Sequence, residues 1–254
     1  MLKLIFSDLD DTLLASKKTV SDETMNFIKE LKDTRFIVNS GRLPYNMDPI
    51  KQYIDLSNMI CGNGAYIILD GKIIYSCCLD KNDVYDLLDY GYSKGYLPRL
   101  YLDSGLYITD KSNMPTSVKI NIVTKEELYD LLKKENVYKI AFYDYDKGHL
   151  EDVRRFINDK NNMVWEYSNC WFLECHHKDT SKGNAIDIVS KQLNIKPDEV
   201  LAIGDNENDL SMFNRGYHSA CPSNACDKVK SIVEYVSPLD CNHDAMIDII
   251  NHFL

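Results

Sequence analysis

The sequence predicts an α/β protein in which a parallel-sheet core is interrupted by an inserted α+β domain, and three observations carry that expectation. Short apolar runs that stop at polar turns recur towards both ends of the chain, as in "LKLIFSD", "RFIVNS", "NMIC" and "EVLAIGD". Strands of a parallel sheet read this way because helices cover both of their faces. Segments with helical spacing separate several of these runs, and the middle of the chain changes character, becoming strand-rich with interleaved helices and no second "SDLDDT".

Taken in order, "LKLIFSD" is a short buried strand. Ser21 or Asp22 can cap a helix running to about Lys32, with Met25, Ile28 and Leu31 at helical spacing. "RFIVNS" and "NMIC" follow as strands. "AYIILDGKIIYS" places two β-rich runs around Asp70-Gly71, a pair that tolerates the positive φ angles of a tight hairpin turn. From Leu79 to Lys178 come a helix, strands near "PRLYLD", "GLYIT" and "VKINIV", the helix "KEELYDLLKKE", the strand "VYKIAFYD", the helix "HLEDVRRFIND", and strands at "MVWEY" and "WFLEC". The core resumes near Asp179 with the helical "SKGNAIDIVSKQLN" and the strand "EVLAIGD". The expected division is therefore a core of 1–78 and 179–254 around an insert of 79–178.

Composition limits the function classes. At 254 residues, 44% hydrophobic and 27% charged, the chain has the make-up of a folded protein of one or two domains, two being expected here. A net charge of −10 argues against a nucleic-acid backbone or an anionic membrane surface as partner. No apolar run approaches the roughly 20 residues that span a bilayer. Asp8 interrupts "MLKLIF" before a signal-peptide core of about 7–15 apolar residues can form, so the cytoplasm is the expected compartment. Eight dispersed cysteines are then expected as reduced thiols. Cys77-Cys78 and Cys175-His176-His177 lack paired metal spacing, and neighbours on a strand face opposite sides, so structural roles are expected of them over a soft-metal site.

In an open parallel sheet, functional groups collect at the carboxyl ends of strands. "LIF" leads into Asp8 and Asp10, "FIVN" into Ser40-Gly41-Arg42, and "VLAIG" into Asp205, Asn206, Asn208 and Asp209. Thr180 or Ser181 opens a helix with Lys182 in its first turn. Acidic groups converging at one edge need a cation, since unpaired buried carboxylates would otherwise take up protons. Hard oxygen ligands without a supporting His or Cys cluster favour Mg²⁺. A lysine and a hydroxyl at the same edge supply donors for phosphoryl oxygens, so the constellation points to metal-assisted phosphoryl transfer. Singly, "SGR" is an ordinary turn, "SKG" a helix start and "GDNEND" an acidic loop; their order and placement give them joint meaning.

"DLDDTLL", "NSGR", "SKGNA" and "GDNENDLSMF" resemble the four ordered motifs of the haloacid-dehalogenase-like hydrolase superfamily, in particular its Cof-type phosphatases, and "CGNGA" resembles the segment that precedes their large cap. The resemblance runs over almost the whole chain. It implies a Rossmann-like core, an α/β cap of the C2 kind, Mg²⁺ dependence and phosphate-monoester hydrolysis. Asp8 matches the nucleophile, which would become an aspartyl phosphate, and Asp10 the general acid/base. Asp8, the Asp10 backbone carbonyl and Asp205 match the metal ligands. Ser40, Lys182 and Asn208 match phosphate contacts, joined by the backbone N–H groups of Leu9 and Gly41. Asp209 matches an orienting carboxylate, and Arg42, beside the phosphate site, can reach towards substrate or cap.

Two departures stand out. Asp11 occupies a place where relatives usually have glycine, and "CPSNACDKV" replaces their usual "GNA" turn, with Ser223 and Asn224 expected to cap the next helix. Asp10 disfavours a dehalogenase, because a departing halide needs no proton. A phosphomutase acting on a sugar phosphate stays open, as does a catalytically weak protein that only binds phosphorylated ligands. The expected partner is a small phosphorylated metabolite such as a sugar phosphate. Tyr92, Tyr96, Tyr101, Tyr107 and Trp171 can stack on a ring, although packing against strands is the plainer expectation. Arg99 and Lys119 are candidates for a second anionic group or for solvated faces.

Overall fold

The computed structural model describes residues 1–110, 120–169 and 171–254. These form two compact units, Met1–Ser76 with Ser181–Leu254, and Cys77–Thr180. Lys119 and the start of "VKINIV" lie outside the described residues.

The first unit holds β1 (Leu4–Ser7), α1 (Asp22–Glu30), β2 (Arg35–Asn39), β3 (Met59–Cys61), β4 (Tyr66–Leu69) and β5 (Lys72–Ser76), and, beyond the second unit in sequence, α5 (Lys182–Leu193), β12 (Val200–Ile203), β13 (His218–Cys221), α6 (Asp227–Lys230), β14 (Tyr235–Val236) and α7 (Ala245–Phe253). Its sheet runs β14-β13-β12-β1-β2-β3-β4-β5. Neighbours from β14 to β3 are parallel, and the last two pairings are antiparallel. Side chains alternate across a strand, so one run feeds two cores. On β1 and β12, Leu4, Phe6, Val200 and Ala202 pack with Ala185, Ile186 and Val189 of α5. Ile5, Leu201 and Ile203 turn to the opposite core, with Ile249 and Ile250 of α7. This two-sided burial is why the strands read as unbroken apolar runs.

Ser21 caps α1, its Oγ accepting from the Thr24 N–H at 3.0 Å. The helix stops at Glu30, two residues short of the expected Lys32, because Leu31 is already extended and Asp33 is left-handed. The β4–β5 turn has positive φ at both Asp70 (50°) and Gly71 (73°), as a two-residue hairpin of this kind requires.

The second unit holds α2 (Lys81–Ser93), β6 (Pro98–Leu102), β7 (Leu106–Ile108), β8 (Ile120–Ile122), α3 (Lys125–Leu132), β9 (Val137–Tyr143), α4 (Lys147–Asn158), β10 (Met163–Asn169) and β11 (Phe172–His177). Its sheet order is β10-β11-β9-β6-β7-β8. Leu100, Leu102, Ile140, Phe142, Leu173 and Cys175 pack with residues of the three helices, including Leu87, Leu88, Leu128, Val153 and Ile157. The alternate residues of these strands include Arg99, Tyr101, Lys139 and Glu174. The tyrosines have partners within the unit: Tyr101 lies under the Lys139 ammonium, Tyr92 under that of Lys125, and Tyr96 donates to Asp152. Among the described residues, no helix is long and apolar enough to cross a membrane.

Candidate active site

Parallel register sets the carboxyl ends of β12, β1 and β2 side by side. Ser7 pairs with Ile203 on one side and Val38 on the other. The next residues therefore emerge at one edge, and the Asp8 N–H donates to the Ile203 carbonyl at 2.8 Å. Asp8 is 6% exposed, and Lys182, at the first position of α5, is fully buried. Ser181 caps that helix, accepting from the Asn184 N–H at 3.0 Å. A Cβ on Gly183 would lie 1.8 Å from the Ser211 carbonyl oxygen, so only glycine lets α5 approach the loop after β12 this closely.

That approach puts Lys182 Nζ 2.5 Å from Asp8 Oδ1 and 2.6 Å from Asp209 Oδ1. Asp209 is fully buried, and its Oδ2 accepts from the N–H groups of Asp205 (2.8 Å) and Asn206 (3.0 Å). Asp205 Oδ1 accepts from Thr12 Oγ1 at 2.6 Å. The carboxylate oxygens of Asp8, Asp205 and Asp209 gather within 4.8 Å of one another.

The charges in this pocket do not balance. Three carboxylates face one ammonium, leaving two formal negative charges where water is scarce. Burial, reinforced by Asp209 and Asp205 and opposed by Lys182, pushes the Asp8 carboxyl up to about 8. Asp205 rises to about 6, again through burial first, with Thr12 working the other way. A divalent cation would supply the missing charge, and the donors are the hard oxygens that Mg²⁺ takes. Asp209 has both oxygens committed to Lys182 and backbone amides. Among the described residues, Asp8 and Asp205 each keep an oxygen without a hydrogen-bond partner, so these two fit a cation while Asp209 fits the part of an orienting group.

Asp10 has different company. Arg42 donates to both of its oxygens, Nε to Oδ2 at 2.8 Å and a terminal nitrogen to Oδ1 at 2.6 Å, and Lys18 Nζ sits 3.0 Å from Oδ1. Partial burial favours the neutral acid, but these two cations outweigh it and hold the Asp10 carboxyl below the ordinary range. Ser40 is 1% exposed, and its Oγ accepts from the Arg42 N–H at 3.2 Å. The Leu9 side chain is buried in the core, leaving only its backbone to act at the site. Asn208 Nδ2 donates to Asn63 Oδ1 at 3.4 Å.

The expected cap by Ser223 and Asn224 is not formed. Cys226 precedes α6 without a side-chain capping bond, and Asn224 instead ties two loops, donating to the Asp11 carbonyl at 2.7 Å and accepting from the Cys241 N–H at 2.9 Å. A capping preference is a local signal, and here two distant backbone groups claim the carboxamide. Thr12, Lys18 and Asn63 were given no role by sequence reasoning. Thr12 could have been found from its place within "DLDDTLL", whereas nothing around Lys18 marks it.

The sequence model of a family described as haloacid dehalogenase-like hydrolase matches residues 5–250. Phosphatase YwpJ of Bacillus subtilis is 25% identical, over 95% of this chain and 96% of its own. A phosphoglycolate phosphatase of Picrophilus torridus is 26% identical, over 100% and 92%. The crystal structure of a haloacid dehalogenase-like hydrolase from Bacteroides thetaiotaomicron superposes over 100% of both chains with a TM-score of 0.87 at 25% identity.

Proposed function

Since the chain belongs to the haloacid dehalogenase-like hydrolase family, we propose that it is a Mg²⁺-dependent phosphatase that hydrolyses a small phosphate monoester through a phosphorylated Asp8. The observation that carries this reading is the buried Lys182 joining Asp8 to Asp209 at 2.5 and 2.6 Å, beside the Asp205 carboxylate. One pocket thus combines a nucleophilic carboxylate, a cation for phosphoryl charge and an acidic pair for a metal.

Asp8 attacks phosphorus in line with the ester oxygen. The P–O ester bond breaks as the Asp8–phosphorus bond forms, and Asp10 gives the departing alkoxide its proton. Asp10 then takes a proton from the water that attacks the phosphorylated Asp8, releasing phosphate and restoring the carboxylate. Lys182 shares its charge between the phosphate and Asp8. The Ser40 hydroxyl, the Leu9 and Gly41 N–H groups and the Asn208 amide donate to phosphoryl oxygens. Held by Asp8, Asp205 and the Asp10 carbonyl, Mg²⁺ would supply positive charge against the phosphate. In its first task Asp10 must be an acid, which the Arg42 clamp disfavours. An incoming phosphate is a competing bidentate partner for a guanidinium, so substrate binding draws Arg42 off Asp10.

In this reading the Cys77–Thr180 unit is the cap that selects the substrate, a sugar phosphate or similar metabolite, and the enzyme works in the cytoplasm. The name of one relative, a phosphoglycolate phosphatase, supports a small phosphorylated metabolite as substrate. The test is a phosphate-release screen over phosphorylated metabolites with and without Mg²⁺, run beside Asp8→Asn. Release from at least one monoester is expected, falling about a thousandfold or more in the variant while its melting temperature stays within a few degrees. Mg²⁺-dependent hydrolysis surviving in Asp8→Asn would remove the nucleophile. An isomerised sugar phosphate without phosphate release would make the protein a mutase.

A further inference from the structure

The turn Gly62-Asn63-Gly64 leaves β3 with three successive left-handed residues, at φ of 61°, 55° and 97°. Such a run is costly for any residue with a side chain, and glycine is the least strained choice throughout. The middle position nevertheless carries a carboxamide, and Asn63 is only 8% exposed. The strain places that carboxamide among the loops given to the phosphate. The Asn63 N–H donates to the Ser40 carbonyl at 3.0 Å, and the Gly62 N–H to the Arg42 carbonyl at 2.8 Å. A Cβ on Gly64 would fall 2.2 Å from the Ser181 carbonyl oxygen, so the turn lies flush against the residue that precedes Lys182. A Cβ on Gly41 would meet Asn63 Oδ1 at 2.9 Å, and that same oxygen accepts from Asn208 Nδ2 at 3.4 Å.

One side chain therefore touches both the loop after β2 and the helical turn after β12. We propose that Asn63 is a positioning residue of the phosphate cradle, which acts through Asn208 and against the Gly41 backbone so that donors from both loops meet the phosphoryl oxygens together. The inference rests on the phosphatase reading for its ligand. The competing explanation is that asparagine occurs here only because it tolerates a left-handed backbone, and Asn63→Gly separates the two: it keeps the backbone and deletes the carboxamide.

The probes are inorganic phosphate, titrated calorimetrically in the presence of Mg²⁺, and p-nitrophenyl phosphate for turnover. In Asn63→Gly, phosphate affinity is expected to fall and KM to rise about tenfold, with kcat changing less and the melting temperature moving by only a few degrees. Asn208→Ala should have a similar effect. The double variant should be little worse than the worse single one, since both remove one coupled unit. Wild-type phosphate affinity and KM in Asn63→Gly would overturn the proposal, and fully additive losses would overturn the route through Asn208. The phosphate titration needs no turnover. A wild-type protein that binds phosphate without hydrolysing esters, and loses that binding in Asn63→Gly, would sink the phosphatase reading and keep this one. A wild type that neither binds nor hydrolyses would sink both.

Discussion

Lys182 in the first unit and Lys139 in the second are both drawn into the protein beside carboxylates, yet their surroundings differ in one respect. Lys139 Nζ lies 2.6 Å from Glu174 Oε1, with side-chain exposures of 13% and 9%, and 4.4 Å from the centre of the Tyr101 ring. Arg99 and Glu166 share the same electrostatic neighbourhood, giving two cations and two carboxylates. Burial works against both lysine ammoniums, and nearby carboxylates more than offset it, so both sit above the ordinary lysine range. Among the described residues the charges around Lys139 then cancel, whereas around Lys182 two formal negative charges are left over. A buried pair that balances can serve structure alone, whereas a buried surplus calls for a cation from outside.

The largest expected break in this comparison is chemical. Asp8→Asn removes one of the surplus charges and the nucleophile together, so it should cost at least about a thousandfold in turnover while sparing the fold. Lys139→Met should do the reverse. Leaving Glu174 buried without its partner is expected to cost about 3 kcal/mol in a denaturant melt, with turnover at 25 °C within about twofold of wild type. Lys139→Met/Glu174→Leu should recover most of that loss, because a balanced pair can be exchanged for apolar packing. Loss of turnover without loss of stability in Lys139→Met would erase the contrast between the two lysines.

The surplus can also be read through pH. With Asp8 raised to about 8 and Asp205 to about 6, from ordinary values of 3.8, the folded protein keeps protons that the unfolded chain has already released. Their contribution to stability is therefore full below about pH 4 and is lost as pH climbs through 6 and 8. Mg²⁺ competes with those same protons, so its stabilising effect runs in the opposite direction. The rise in melting temperature on adding saturating Mg²⁺ should be small at pH 5 and reach about 5 °C at pH 8. An equal rise at pH 5, 6.5 and 8 would mean that the metal does not occupy the carboxylate pocket.

The sequence made the paired strand ends legible because alternation and burial write themselves into short apolar runs, and Asp8, Ser40, Lys182 and Asp205 each adjoin one or open a helix. β13 carries no such signal: its residues are His218, Ser219, Ala220 and Cys221, of which the last three are buried although none is a large apolar residue. The links between loops were equally hidden. Thr12 with Asp205, Lys18 with Asp10, and Asn63 with Asn208 join side chains whose spacing in the chain bears no relation to their distance. Asn224 shows the same limit from the other side, since its local sequence favours a cap and the fold gives it two distant backbone partners.

Asp11 provides the smallest and most specific test of the charge argument. It is the third carboxylate of "SDLDDT", but its side chain is half exposed, and Lys18 Nζ lies 3.4 Å away. Its charge helps to raise Asp205, but from an exposed position, so it is not one of the three carboxylates gathered in the pocket. Its backbone has φ of 61°, and its carbonyl is held by Asn224 at 2.7 Å. Asp11→Gly keeps both features, so turnover should stay within about twofold and stability within about 0.5 kcal/mol. Asp11→Ala removes the same charge but keeps a β-carbon in the left-handed region without the short polar side chain that lets aspartate tolerate it, and should cost about 1 kcal/mol. If the position matters for its backbone, alanine is the worse variant and glycine is neutral. A tenfold loss of turnover in both would put the Asp11 carboxylate among the working groups and raise the pocket's charge surplus by one.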